Sequence, residues 1–356
     1  MIAIASTTIA WLILVLSVSG WLVYAFFNVR AGRAEIGSEQ TLAANRKPYY
    51  DDEVLEGKRL ERVQLLGLVF LVIITVSLPL YWVLEPGRQA GAEFGWQERV
   101  AKWGGKKFAS TADGGFNCAG CHGGMSGAGG VAEYSVTDPK TGEVKAVSWK
   151  APSLTTILYK FSEEEVRFIL NYGRPFSPMS AWGTIGGGPL NEQSIDNLVK
   201  YMATIQIPQE GCDLDAKEAK INPTCDGGKL PKEMNDEIIA EANRLIANGT
   251  YGSLGEALFN LDLESGAYSC ARCHTKGWSY GDPQETGGGA FGPNLTGGSS
   301  VRQFPNAEDM VAFLKSGSEL GRRYGEQGQG SGRMPGFGSI YTDEQIRAIV
   351  DYVRGM

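Results

Sequence analysis

The sequence predicts an all-α chain: an N-terminal two-helix transmembrane hairpin, then one helical module used twice. Two long charge-free apolar stretches near the N-terminus predict the hairpin. A cysteine–histidine phrase that recurs in the second half, followed each time by the same order of amphipathic patterns, predicts the duplication. Composition removes several other classes. The 48 glycines and 15 prolines among 356 residues show no triplet period and fall short of low-complexity disorder. A net charge of −7 opposes nucleic-acid binding, which selects basic surfaces. Neither GxGxxG nor GxxxxGKS/T follows an apolar strand-like run, so nucleotide binding lacks its carrier. With only 2 histidines, zinc sites that need two or three imidazoles cannot be assembled.

The hairpin is read first. Residues 2–27 carry no charge and gather Trp21, Tyr24, Phe26 and Phe27 at one end. Residues 63–84 form a second stretch through Val69, Phe70, Ile73 and Ile74 that closes with Tyr81 and Trp82. About 20 apolar residues span the hydrocarbon, and Trp and Tyr prefer its interfaces. The segment 28–64 holds Arg30, Arg33, Arg46, Lys47, Lys58, Arg59 and Arg62, whereas residues 1–8 hold no basic side chain. The positive-inside rule puts that loop in the cytoplasm, the N-terminus outside, and everything beyond about residue 90 on the outer, periplasmic or extracellular, side of a two-pass protein. A cleaved signal peptide would carry its basic residues before the apolar run. The loop's charges balance, so the −7 belongs to the exported part, and chiefly to 209–248 and 249–356.

Both histidines sit in one motif used twice, Cys118-Ala-Gly-Cys121-His122 and Cys270-Ala-Arg-Cys273-His274. Cys-x-x-Cys-His reads as covalent haem attachment: two thioethers hold the vinyl edge and the adjacent imidazole takes the iron. A thioredoxin-like CxxC would open a helix after a strand, and zinc would need the two pairs to converge. Neither alternative explains a histidine after each pair. The sequence therefore predicts two haem c groups. Cys212 and Cys225 lie between the motifs, and outside the cytoplasm two spare cysteines pair as a disulfide.

Alignment on the motifs exposes the repeat. Pro152-Ser-Leu-Thr155 matches Pro293-Asn-Leu-Thr296. A helix pattern from Phe161, with Ser162 and Glu165 as a capping box, matches one from Asn306; they end at Gly173 and Gly317. Met179-Ser-Ala-Trp182-Gly183 matches Met334-Pro-Gly-Phe337-Gly338. Final helices begin near Asn191 and Thr342, with Ile195, Leu198, Val199 and Met202, or Ile346, Ile349, Val350 and Val353, on one face. Helices are also expected before each motif, at 96–108 and at 253–262, the latter capped by Ser253 and Glu256. The first copy alone carries an insertion, glycine-rich over 123–130 and polar up to Lys150, read either as a partner-binding lobe or as a long solvated loop. Domain boundaries follow: hairpin anchor 1–90, first module 91–208, acidic linker 209–248, second module 249–356.

This order of helix, CxxCH, proline loop, helix, methionine loop and helix resembles the class I cytochrome c fold, twice over. The resemblance implies Met179 and Met334 as second axial ligands beside His122 and His274. It also implies that the Pro152 and Pro293 carbonyls orient the proximal imidazoles. Met125 lies too close to His122 to reach the opposite haem face, while Met202 and Met310 sit on apolar helix faces where core packing is the default. Trp149, Arg174 and Trp182 are candidates to touch haem propionates or to pack at the haem edge, and ordinary packing serves as well for each. His/Met capping leaves no open iron position, which favours electron transfer over catalysis; the chain is not an enzyme by itself.

Two assemblies share this dihaem composition. The cytochrome c subunit of actinobacterial-type (bcc-type) quinol:cytochrome c reductases is similar, and implies cytochrome b and Rieske iron–sulfur partners; those subunits end in a membrane helix, whereas this chain stops at Met356. The dihaem subunit of a cbb-type haem–copper oxidase resembles the layout more closely, with membrane helices before two His/Met domains. Its Pro-Leu-Pro and double-Trp signature is missing, and Tyr49-Tyr-Asp-Asp-Glu-Val stands near that place. The reductase is the first expectation, and the oxidase or a standalone membrane carrier the alternatives. A dihaem peroxidase would need a vacant iron position. The acidic exported surface further predicts a basic redox partner.

Overall fold

The computed structural model describes residues 11–12, 14–27, 57–137, 142–174, 177–274, 292–328 and 333–356. The chain divides into two compact units, one ending at Gly95 and one spanning Trp96–Met356.

Among the described residues, one helix is long and apolar enough to cross a membrane. It runs Lys58–Phe108, and none of its most apolar stretch is buried. Leu65, Leu66, Phe70, Ile73 and Ile74 stand exposed along it, as a lipid-facing surface would. The helix is longer than the sequence reading, which stops the second apolar stretch at Leu84 and starts a new helix at 96. Pro79 and Pro86 lie inside it, and the turn around Pro86 is spanned by Glu85, which accepts from Arg88 Nε at 2.6 Å and from Gln89 at 2.9 Å. Within the first expected membrane stretch the described residues form only a shorter apolar helix, Leu14–Phe27, so the two-helix hairpin is not shown; residues 1–10 and 28–56, the greater part of the expected loop, lie outside the described residues.

In the second unit both copies of the repeat are built alike. Each has a helix crossing, made by Gly104 with Phe108 in the first copy and Gly255 with Phe259 in the second. A Cβ on Gly104 would run into the Asn197 carbonyl and the Tyr201 side chain, and one on Gly255 into the Ala348 carbonyl and the Tyr352 side chain. Four residues on, Phe108 meets the Tyr201 ring at 5.2 Å and Phe259 meets Tyr352 at 5.5 Å. Only glycine lets two helix backbones come this close, so these positions set where the last helix of each copy crosses the first. The last helices, Glu192–Thr204 and Asp343–Arg354, bury Ile195, Leu198, Val199 and Met202, and Ile346, Ile349, Val350 and Val353. That is one face at helical spacing in each case.

The middle helices are Glu163–Tyr172 and Ala307–Ser316. Ser162 and Glu165 form the expected capping box; Asn306 caps its helix by accepting from the Glu308 N–H. The helix expected at 253–262 is shorter, Leu254–Phe259, because the Asn260 side chain donates to the Glu256 carbonyl at 2.9 Å and ends it. A tight turn follows over Leu263–Gly266, in which Glu264, Ser265 and Gly266 all take positive φ.

The all-α expectation needs correction at one place. The 123–150 insertion contains an antiparallel hairpin, β1 (Gly130–Thr137) with β2 (Val144–Ala151), in register Gly130↔Ala151 to Thr137↔Val144. The runs Ala132-Glu133-Tyr134-Ser135-Val136-Thr137 and Val147-Ser148-Trp149-Lys150-Ala151 alternate small or apolar with polar residues, which suits strands better than a solvated loop. The hairpin base is tied down. Ala132 and Ala151 are buried, the Gly129 N–H donates to the His122 carbonyl at 2.9 Å, and the Ser153 N–H donates to the Glu264 carbonyl at 3.2 Å.

The acidic stretch between the copies holds the expected disulfide, Cys212–Cys225. It also holds a helix, Lys232–Ala247, whose Ile238 and Ala242 are buried in the core of the second copy. Tyr159 of the first copy is buried in that same core.

Candidate functional site

Each motif histidine is placed by a loop carbonyl, and the first also by a short helix. The first motif forms the helical turn Cys118–Cys121, with His122 as its C-cap. His122 Nδ1 lies 3.0 Å from the Pro152 carbonyl, and His274 Nδ1 lies 3.0 Å from the Pro293 carbonyl. A carbonyl only accepts, so Nδ1 carries the proton in both rings and Nε2 presents its lone pair. Burial lowers the pKa of both histidines below the usual value, a trend the proline carbonyls partly offset. Both imidazoles are therefore neutral at pH 7, the form that binds a metal. Burial also pushes the Cys118 thiol up to about 11 and the Cys270 thiol to about 12. That opposes a redox CxxC, whose nucleophile has a lowered pKa.

The methionine loops are stapled to the middle helices by matching hydrogen bonds. After each helix a glycine takes positive φ: Gly173 at 65° and Gly317 at 74°. The next N–H, from Arg174 or Ser318, donates to the carbonyl of Met179 at 2.8 Å or of Met334 at 2.9 Å. Three residues past each methionine, the Trp182 N–H donates to the Leu170 carbonyl at 2.9 Å and the Phe337 N–H to the Leu314 carbonyl at 2.8 Å. A Cβ on either glycine would come within 2.6 Å of the methionine carbonyl oxygen. Backbone geometry thus fixes where each thioether stands.

In the first copy these parts converge. Cys118, Cys121, His122, Pro152 and Met179 line one cavity, whose walls include Phe108, Leu154, Ile169, Leu170, Leu198 and Met202. An apolar slot with a neutral imidazole, a thioether and the two thiols of one Cys-x-x-Cys pair on its walls suits a flat, largely apolar macrocycle with an iron at its centre, so the residues present fit a haem. Ala132 and Ala151 of the hairpin base complete one wall. In the second copy Cys270 and Met334 pack against one core, and His274 is 9% exposed. Residues 275–291 and 329–332, which flank His274 and Met334, lie outside the described residues.

Sequence reasoning misses how the copies meet. Gly266, Ala267, Ser269, Arg272, Cys273, Pro335 and Phe337 of the second copy also line the first cavity. The Gly336 N–H donates to the Lys160 carbonyl at 2.9 Å, Lys160 Nζ donates to the Ala267 carbonyl at 3.0 Å, and an Arg174 amine donates to the Arg333 carbonyl at 2.9 Å. Lys160 stands out in the sequence only as a lone charge in the run Ile157-Leu-Tyr-Lys-Phe161, and Arg272 as the residue where the motifs differ, opposite Gly120.

Of the edge candidates, Arg174 and Trp182 line the cavity, and Trp182 meets the Phe116 ring at 6.1 Å; the Trp149 side chain lies outside the described residues. Met125 is exposed, with its carbonyl accepting from the Tyr201 hydroxyl, and Met202 and Met310 are buried core residues.

The family model described as cytochrome c oxidase, cbb3-type, subunit III matches residues 106–202 and again 263–353, together more than half of the chain. The chain belongs to that family. It is a dihaem c-type cytochrome, with two cytochrome c domains that bind two covalently attached haem c groups and an activity of haem-based electron transfer. No curated protein and no solved structure matches it.

Proposed function

We propose that this dihaem cytochrome is the membrane-anchored electron relay of a respiratory complex that feeds a haem–copper oxidase of the cbb type. Cys118 and Cys121 hold the first haem, with His122 and Met179 as its axial ligands. Cys270 and Cys273 hold the second, with His274 and Met334. When bound, the two groups supply one-electron redox chemistry. The protein's part is to orient both imidazoles through the Pro152 and Pro293 carbonyls, to exclude water with an apolar wall, and to fill both axial positions. A filled iron has no place for substrate, which confines it to outer-sphere transfer.

The carrying observation is the shared wall: Cys273 of the second motif lines the cavity that holds the first motif. Two haem sites with a common wall suit transfer within the chain, without diffusion of a soluble carrier. Two apolar segments with a basic loop between them support haem domains on the outer face, N-terminus out, where the acidic surface would receive a basic redox protein.

The absent Pro-Leu-Pro and double-Trp signature favours a second reading, the cytochrome c subunit of a bcc-type quinol:cytochrome c reductase. Gentle solubilisation followed by identification of what stays attached separates the two. A copurifying haem–copper subunit supports the oxidase, cytochrome b with a Rieske protein supports the reductase, and isolation with neither leaves a standalone carrier.

A further inference from the structure

One peptide group of the first copy is hydrogen-bonded at both ends, and the two bonds lead into different copies. The carbonyl of the Pro152–Ser153 peptide lies 3.0 Å from His122 Nδ1 and accepts its proton. The N–H of the same peptide donates to the Glu264 carbonyl, in the turn before the second motif, at 3.2 Å. Ser153 is 1% exposed, so its end of the chain is shielded from water. A peptide that donates through its N–H is a stronger acceptor at its oxygen, because hydrogen bonds in series polarise one another, and more so away from water.

The turn that supplies the Glu264 carbonyl is held in a conformation its residues seldom adopt. Glu264 and Ser265 take φ of 50° and 55°, which is costly for side chains other than glycine. Contacts on both sides hold it there. The Ala267 N–H also donates to the Glu264 carbonyl, at 3.1 Å, and Arg272, between the cysteines of the second motif, donates to the Ser265 carbonyl at 3.1 Å. Gly129 leaves room for the approach, since a Cβ there would come within 2.9 Å of the Ser153 nitrogen and 2.8 Å of Ser265 Oγ. The φ of Ser265 sets the plane of the Glu264–Ser265 peptide, so this conformation directs the Glu264 carbonyl to Ser153.

We propose that the Glu264–Gly266 turn of the second copy is a positioning element for the first haem. By accepting from the Ser153 N–H it strengthens the Pro152 carbonyl as the acceptor of the His122 proton. That makes the imidazole a more electron-donating ligand and lowers the potential of the first haem. The proposal rests on the reading of His122 as that haem's proximal ligand. Arg272 ties the second motif to the same turn, so a run of hydrogen bonds and one backbone turn join the two sites.

The test is a redox titration of the full-length, haem-loaded chain in detergent, followed at the haem absorption bands. Met179→His and Met334→His assign the two components. Ser265→Val leaves the charge unchanged and is expected to rotate the Glu264 carbonyl away, because a β-branched residue resists positive φ. The component that Met179→His moves should then rise, with a gain in its reduced-to-oxidised ratio of about threefold at fixed solution potential, about 28 mV for one electron. Ser265→Gly accepts the same φ and is expected to leave that midpoint where it is. Ser153→Pro removes the donor and should raise the same component; should either variant not accumulate, the other decides. Two readouts separate positioning from general damage. The methionine–iron band should keep its strength, and hydrogen exchange at the Ser153 amide should quicken in Ser265→Val but not in Ser265→Gly. An unmoved first component, a shift confined to the other component, an equal shift in Ser265→Gly, or a shift that comes with loss of the methionine band overturns the proposal. So does a Ser153 amide that exchanges without protection in the wild-type chain. A wild-type chain carrying fewer than two covalent haems by intact mass overturns the site reading beneath it, a result distinct from an unmoved midpoint.

Discussion

The two copies of the repeat reach one geometry by routes of different length. His122 and Pro152 are 30 positions apart, with a β-hairpin between them, whereas His274 and Pro293 are 19 apart; both pairs close at 3.0 Å. The glycine crossing, the stapled methionine loop and the spacing of the last helix are the same in both. What differs is the covering: a hairpin base over the first site, Arg272 in place of Gly120, and Pro335 after the second methionine where Ser180 follows the first. The difference teaches that helix crossings and loop staples define the site. The connection between ligand elements is free to lengthen, because loop-closure entropy grows slowly with length.

The sharpest way to break this comparison is to delete one attachment motif at a time. Cys118→Ala with Cys121→Ala, and Cys270→Ala with Cys273→Ala, are each expected to leave one covalent haem per chain, read by intact mass. If either pair removes both, the copies do not assemble independently and the equivalence fails.

Next in size is the helix crossing. Gly104→Ala and Gly255→Ala each force a methyl group into a backbone carbonyl, and each is expected to cost about 3 kcal/mol in denaturant unfolding. Hydrogen exchange should place the loosening in the copy that was changed. A loss below about 1 kcal/mol in one copy alone would show that its last helix can shift.

The methionine loops come third. Gly173→Ala and Gly317→Ala are each expected to cost about 1–2 kcal/mol from strain at positive φ. They should also weaken the methionine–iron charge-transfer band. The band should fall further for Gly173→Ala, because Pro335 restrains the second loop and the first has no proline after its methionine. Equal loss would remove that proline from the account.

The smallest contrast is at the middle-helix caps. Ser162→Ala removes a reciprocal box, in which the Ser162 N–H also donates to Glu165 at 2.9 Å, and is expected to cost about 1 kcal/mol. Asn306→Ala removes a single capping bond and should cost less in the same unfolding assay.

Much of this was legible from residues near one another in the chain. The CxxCH motifs, the capping box at Ser162, the helix ends at Gly173 and Gly317 and the buried faces of the last helices all depend on spacings of a few residues. The β-hairpin was not, because the glycines and charges of 123–150 suggest a loop, while the strand signal lies in the alternation over Ala132–Thr137 followed by turn residue types such as Pro and Gly. The long continuous helix was not, because Pro79, Pro86 and four glycines between 87 and 104 read as breaks.

By itself the sequence determined the chemistry: two haem c groups with a candidate attachment motif for each, two candidate methionines, a disulfide pair and a long apolar segment, each specified by local spacing or by composition. Only the tertiary structure decided that the second motif walls the first site, and that Lys160, Arg174 and Arg272 share one cavity. The reason is physical. A lone lysine in an apolar run and an arginine between two cysteines are each compatible with solvent when read locally. Their meeting follows from helix crossings set by Gly104 and Gly255 and from the docking of one copy on the other, which no local period encodes.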